Sequence, residues 1–223
     1  EHANSFVSSV NFLAEKGERT ILVYRGASHH FKASDIDDSQ IRRSQWLYVT
    51  SLAGNVALLN KIMKKAGTHK ARIMLNPGRR ELRQSQKKLK NILQQVSILL
   101  LNREEARMLT QIKTGPDAQL VRAVRSYCPG VVIITKGAQG SIVSTPENKY
   151  TVGVKPVQAV DSTGAGDAFG SGFLAGYIGT HGDITEAITL ASNNAASVIK
   201  KIGAKHGLLT KHDKLKKVNI ISK

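Results

Sequence analysis

Between Asp161 and Asp167 the chain reads Asp-Ser-Thr-Gly-Ala-Gly-Asp, and an apolar helical pattern from Ala168 to Tyr177 follows at once. A glycine-rich turn that opens a helix aims several backbone N–H groups, and the positive end of the helix dipole, at one spot. A carboxylate, that of Asp167, stands at the mouth of this anion site. Its presence makes chemical sense if the anion is a phosphoryl group in transit and the carboxylate takes a proton from an attacking hydroxyl. The plainer alternative is a structural strand-to-helix turn. Two other phosphate motifs are excluded. A dinucleotide fingerprint starting at Gly164 would need glycine at 169, which is Phe169, and no Gly-Lys-Ser/Thr follows a suitable glycine.

Two more polar clusters sit at strand ends. Asn102–Arg103–Glu104–Glu105 follows the apolar run ending at Leu101, and Thr135–Lys136–Gly137–Ala138–Gln139–Gly140 follows the run ending at Ile134. Val160 leads into the Asp161–Asp167 segment in the same manner. Open α/β sheets bind ligands at the carboxyl ends of their strands, so three such ends point to one site. Each has a duller counterpart: Asn102 capping a helix with Glu105 in its first turn, and residues 135–140 as a hairpin turn.

The elements that must position these groups alternate in type. Strands are expected at Trp46–Val49, Ala71–Leu75, Ile98–Leu101 and Val131–Thr135. Helices are expected at Val56–Lys65, Glu81–Gln95, Glu104–Leu109 and Ala118–Tyr127, with Asp117 capping the last. Continuous apolar strands separated by helices imply a parallel sheet covered on both faces. Ser141–Val143 and Tyr150–Val152 read as a hairpin, and the final helical stretch runs from Ile184 to Ile202. Upstream, Phe6–Phe12 and Thr20–Tyr24 read as strands around a turn at Gly17–Glu18, and Gly26–Ala27 ends the pattern. His29 and His30 are adjacent without partners, which usually marks surface. Cys128 excludes an internal disulfide and is expected to serve packing.

The Asp161–Asp167 segment resembles the C-terminal signature of the PfkB carbohydrate kinases, the ribokinase-like kinases. Their pattern is D-T-x-G-A-G-D before a helix, with Ser162 here in place of the usual threonine. The resemblance implies an α/β fold, ribokinase-like, with a mainly parallel sheet flanked by helices on both faces and a small β lid. Residues 1–45 would form a partial lid and connecting segment, and residues 46–223 the nucleotide-binding and catalytic core. It implies transfer of the ATP γ-phosphoryl group to a hydroxyl of a sugar or nucleoside. Gly164, Ala165 and Gly166 would form the anion hole and Asp167 would be the base. Asn102 and Glu105 match the family's N-x-x-E motif, which organises Mg²⁺ and its waters beside the triphosphate. Thr135, Lys136, Gly137 and Gly140 resemble its nucleotide loop. Asn193 or Asn194, with no choice between them, would lie near the adenine. Asp161, Thr163 and carbonyls near Lys201 and Gly203 would match a monovalent cation site for K⁺. Residues 25–27 are similar to a segment near the substrate, and lid strands sometimes pair between subunits, so a homodimer through residues 5–31 is open.

The 223 residues, 41% hydrophobic and 22% charged, suit one globular domain. No apolar run reaches the length of a membrane span. No signal-peptide pattern opens the chain, and a cytoplasmic protein is expected. The chain begins at Glu1 in strand-like sequence, without the family's Gly-Gly motif and early Asp, so it is expected to match the later two-thirds of the fold. A net charge of +17 is uneven: eleven Lys/Arg stand between Lys61 and Lys90 against Glu81 alone. That surface fits nucleotide and sugar phosphates by steering, a solvated lysine face, or nucleic acid. The interleaved aromatics of single-strand binders are lacking. The alternatives to a kinase are therefore a non-catalytic nucleotide-binding relative and, further off, a basic nucleic-acid-binding protein.

Overall fold

A computed structural model describes residues 8–13, 19–24, 32–154 and 157–222. β1 (Ser8–Leu13) and β2 (Arg19–Tyr24) form an antiparallel ribbon, Ser8 facing Tyr24 and Leu13 facing Arg19. The expected turn at 17–18, residues 25–27 and the two histidines lie outside the described residues.

From residue 38 the chain alternates helix and strand: α1 (Asp38–Arg43), β3 (Trp46–Val49), α2 (Val56–Thr68), β4 (Arg72–Leu75), α3 (Arg79–Leu82), α4 (Gln86–Leu93), β5 (Ile98–Asn102), α5 (Arg103–Thr110), α6 (Asp117–Arg125) and β6 (Val131–Thr135). β7 (Ser141–Ser144), β8 (Lys149–Val152), α7 (Ala165–Gly179), α8 (Ile184–Val198) and β9 (Ile220–Ser222) complete it. The sheet runs β3 to β9 in chain order. β3 to β6 are parallel, and β7, β8 and β9 each join antiparallel.

Strand pleating sorts the core into two faces. Ile73, Leu75, Leu99, Leu101, Val132 and Ile134 meet α2, α4, α5 and α6. Met74, Ile98, Leu100, Val131 and Ile133 meet α7 and α8. Both faces are thus covered, as continuous apolar strands require. Cys128 belongs to the first face; its Sγ points at the Val96 carbonyl and burial pushes the thiol up to about 11.

Three local expectations are corrected. The helix expected over 81–95 is two helices, because Ser85 caps a new one by accepting from the Lys88 N–H. Asp117 does not cap α6; Pro116 holds that position and Asp117 is the first helical residue. The final helix stops at Val198, short of Ile202, and β9 follows unforeseen.

The break at Ser85 frees Glu81, a carboxylate only 1% exposed, to bind the loop after β3. It accepts from Leu52 N–H at 2.7 Å, Gly54 N–H at 2.8 Å and the Ser51 hydroxyl. The Lys and Arg residues between 61 and 90 are exposed, apart from the half-buried Lys65; Lys65 pairs with Asp38, Arg79 with Glu104, and Arg72 lies over the Trp46 ring.

Candidate active site

The signature segment is held by the stretch that follows α8. Val160 and Asp161 N–H groups donate to the Ile199 carbonyl at 2.8 and 3.2 Å. The Asp161 carboxylate accepts from Thr163 N–H at 2.8 Å and Gly203 N–H at 3.1 Å. Gly164 then caps α7 at φ 80°, where an added Cβ would stand 2.5 Å from the Ala204 carbonyl oxygen. Left-handed backbone and that close approach together demand glycine. Ala165 N–H returns to the Ser162 carbonyl at 3.3 Å. The N–H groups of Gly166 and Asp167 remain in the first helical turn, where a helix offers no internal acceptor.

This turn opens on a cleft of about 200 Å³. Six residues singled out in the sequence line it together: Asn102, Glu105, Thr135, Gly164, Gly166 and Asp167. They come from β5, α5, β6 and α7, so the strand-end reasoning converges on one place. Three lining residues were not foreseen as site residues: Asn76, Leu100 and Ser162. Asn76 follows β4, its N–H bonded to the Val49 carbonyl and its amide nitrogen donating to the Leu100 carbonyl at 2.9 Å. The same strand-end signal marks it, since it stands just past β4.

Burial raises both carboxyls of the cleft. Asp167 is pushed above the ordinary aspartate range by partial desolvation. Glu105 is raised by burial, offset in part by the Asn102 N–H and the nearby Arg79 guanidinium. Asn102 and Glu105 also form a complete capping box: Asn102 Oδ1 accepts from Glu105 N–H at 2.9 Å and Glu105 Oε2 from Asn102 N–H at 2.8 Å. The capping role weighed for these residues is therefore real, and it leaves Glu105 Oε1 without an assigned bond while the residue faces the cleft.

Other candidates are placed elsewhere. Lys136 Nζ is held by Asp117 Oδ2 at 3.0 Å, and Arg103 binds the same carboxylate at 2.9 Å. Burial pushes Asp117 up, but Lys136 and Arg103 outweigh it and hold the carboxyl low. Gly137 is exposed in a 3-10 turn, and Gly140 is buried with its Cα against the Val152 carbonyl. Neither asparagine of α8 offers its amide to the cleft. Asn193 bonds the Thr189 carbonyl and both backbone groups of Lys216. Asn194, 6% exposed, donates to the Ala168 carbonyl at 2.8 Å and accepts from Leu209 N–H at 2.9 Å. Its truncation to Ala is expected to cost about 2–3 kcal/mol by urea unfolding, since both buried partners lose their bond.

The architecture is ribokinase-like. An adenosine kinase structure from Sinorhizobium meliloti superposes with a TM-score of 0.76 at 25% identity over 89% of this chain and 62% of that one. An E. coli protein assigned as ribokinase II, solved with ATP and Mg²⁺, gives 0.76 at 19% identity over 90% of this chain and 67% of its own. An uncharacterised sugar kinase of Archaeoglobus fulgidus is 30% identical over 88% of this chain and 78% of its own length. The model of the pfkB family carbohydrate kinases matches residues 8–211. The chain belongs to that family. Among the described residues no helix is long and apolar enough to cross a membrane.

Proposed function

We propose that the chain carries the catalytic half-site of a kinase that moves the ATP γ-phosphoryl group to a hydroxyl of a sugar or nucleoside. The observation that carries this reading is the meeting of Asp167 and the open first turn of α7 with Asn102, Glu105 and Thr135 in one cleft. The names of the similar proteins, sugar kinase and adenosine kinase, support both acceptor classes.

In this reading the acceptor hydroxyl lies against Asp167, which takes its proton as the oxygen attacks phosphorus. A carboxyl raised by desolvation is a stronger base than an ordinary aspartate. The N–H groups of Gly166 and Asp167 donate to the phosphoryl oxygens, and Gly164 supplies the backbone turn that aims them. The rest is positioning, as phosphoryl transfer asks.

The cleft's polar side chains offer oxygen donors, which suits Mg²⁺. No group of three His, Cys, Asp or Glu gathers among the described residues, which fits an ion held by one or two carboxylates together with the substrate phosphates. Glu105 and Asn102 would hold it, and the ion would neutralise charge on the triphosphate. Asp161 and Thr163, with carbonyls near Lys201 and Gly203, are the proposed surroundings of a K⁺ ion.

The test is ADP release from ATP and Mg²⁺ with a panel of sugars and nucleosides. One acceptor turned over supports the reading. ATP binding without turnover of any acceptor would reduce the chain to a nucleotide-binding role. Glu105→Gln is expected to cut Mg²⁺-dependent activity by about 10–100-fold. Glutamine still serves the capping box, so Tm should hold. A fall in Tm with unchanged Mg²⁺ response would make Glu105 a cap alone.

A further inference from the structure

The hydroxyl of Tyr48 on β3 is buried and has no hydrogen-bond partner among the described residues. Native structures seldom leave such a group unmade, because desolvating it has a cost that nothing repays. Phenylalanine would fill the same volume among the core residues packed on α7 without that cost. The oxygen therefore needs a reason.

Its position supplies one. A Cβ added to Gly170 would stand 2.1 Å from the Tyr48 oxygen and 2.8 Å from Leu100 Cδ2, and Leu100 is part of the cleft wall. Gly170 lies three residues after Asp167, hence on the same face of α7 and one turn along. Cβ bonds in a helix tilt toward the N-terminus, so the space forbidden to a side chain at 170 lies on the Asp167 side. The phenol fills that space. Burial first, and then the charge of Asp167, push its ionisation upward, so the two groups interact electrostatically.

We propose that Tyr48 is a positioning residue for Asp167: its O–H donates to the carboxylate in the rotamer that faces β3. The bond fixes the carboxylate's orientation and favours its ionised form. Gly170 is then the residue that admits the phenol. This inference rests on the reading of Asp167 as base. The other titratable group lining the cleft with Asp167 is Glu105 of α5; Asn76, which follows β4, is neutral.

The test uses the whole chain and needs no acceptor. The side-chain carboxyl of Asp167 is titrated by ¹³C NMR in wild type and Tyr48→Phe, its signal assigned by loss in Asp167→Asn. Removing a donor to a carboxylate raises its pKa, so the midpoint is expected to rise by about 0.5–1 pH unit in the variant. Tm near neutral pH should fall slightly, since a bond to the carboxylate is lost; a higher Tm would mean that only an unmade polar burial was removed and would count against the proposal. An unchanged midpoint would overturn the proposal and leave the hydroxyl a buried cost. Where an acceptor is turned over, the acid limb of kcat/KM should move up by the same amount. Full turnover by Asp167→Asn would sink the base reading instead, and the titration would still report on the Tyr48 contact.

Discussion

Asp167→Asn is expected to lower kcat by on the order of 10²–10⁴, the contribution of a well-placed general base, while ATP binding persists. The amide keeps the shape of the side chain, so the first turn of α7 and its N–H groups stay as they are. What disappears is the ability to accept a proton. Coupled ADP assays give kcat, and calorimetric titration with ATP and Mg²⁺ gives the affinity. Loss of ATP binding together with turnover would count against the base and for a structural Asp167. Stability offers a second reading. Burial raises the Asp167 carboxyl, so the folded state prefers its neutral form. A group raised on folding contributes stability below its unfolded pKa and loses it as pH rises through the folded value. At pH 7 the ionised carboxylate therefore weighs against folding. The Asn variant should melt no lower than wild type there, and the difference should vanish toward about pH 3, below the ordinary aspartate value.

Gly164→Ala is the second large effect. Two penalties coincide at this residue: a left-handed backbone at φ 80°, and an Ala204 carbonyl and Cα at 2.5 and 2.7 Å from the new methyl. Neither neighbour is a flexible side-chain end; both belong to a backbone turn. Strain and overpacking together are expected to cost about 2–4 kcal/mol in denaturant unfolding. The turn that carries Ala204 begins at Gly203, whose N–H anchors Asp161. Relief of the clash would therefore pull the proposed anion-binding turn out of line, and ATP affinity should fall along with stability. Gly166→Ala is the control for stability alone, because its Cβ would meet nothing within 4 Å. A Gly164→Ala protein as stable as wild type would show that the 160–164 loop shifts freely.

The parallel core was legible because its strands, such as Ile98–Leu101 and Val131–Ile134, are apolar on both faces and flanked by amphipathic helices. Strand-end reasoning also found Asn102, Glu105 and Thr135, since residues just past a buried parallel strand must emerge at the same rim. It missed Asn76, the residue just past β4 at the same rim, which was not singled out because Pro77 and Gly78 follow it in place of a polar cluster. Side-chain direction was the hidden quantity elsewhere. Lys136, Asn193 and Asn194 have the right chemistry for a nucleotide, and each is engaged by its own protein, by Asp117, Lys216 and Ala168 respectively. Those partners lie 19, 23 and 26 residues away, beyond the reach of local pattern. The same holds for Glu81, which read as one charge on a polar helix and proves to be the buried anchor of the loop after β3.

The antiparallel turn of the sheet after β6 bears on association with other chains. β9 covers the outer edge of β8 along Tyr150, Thr151 and Val152, and presents only three residues of its own as the new edge. Val218, just before it, and its own Ile220 pack against the core face that α7 and α8 cover, and Lys214, Lys216 and Lys217 precede it. An exposed strand is a template for pairing with any passing backbone, and positive charge is one of the usual defences. Among the described residues, the lysines beside β9 therefore place like charges where two such edges would meet, which disfavours self-association by strand addition on this side of the sheet.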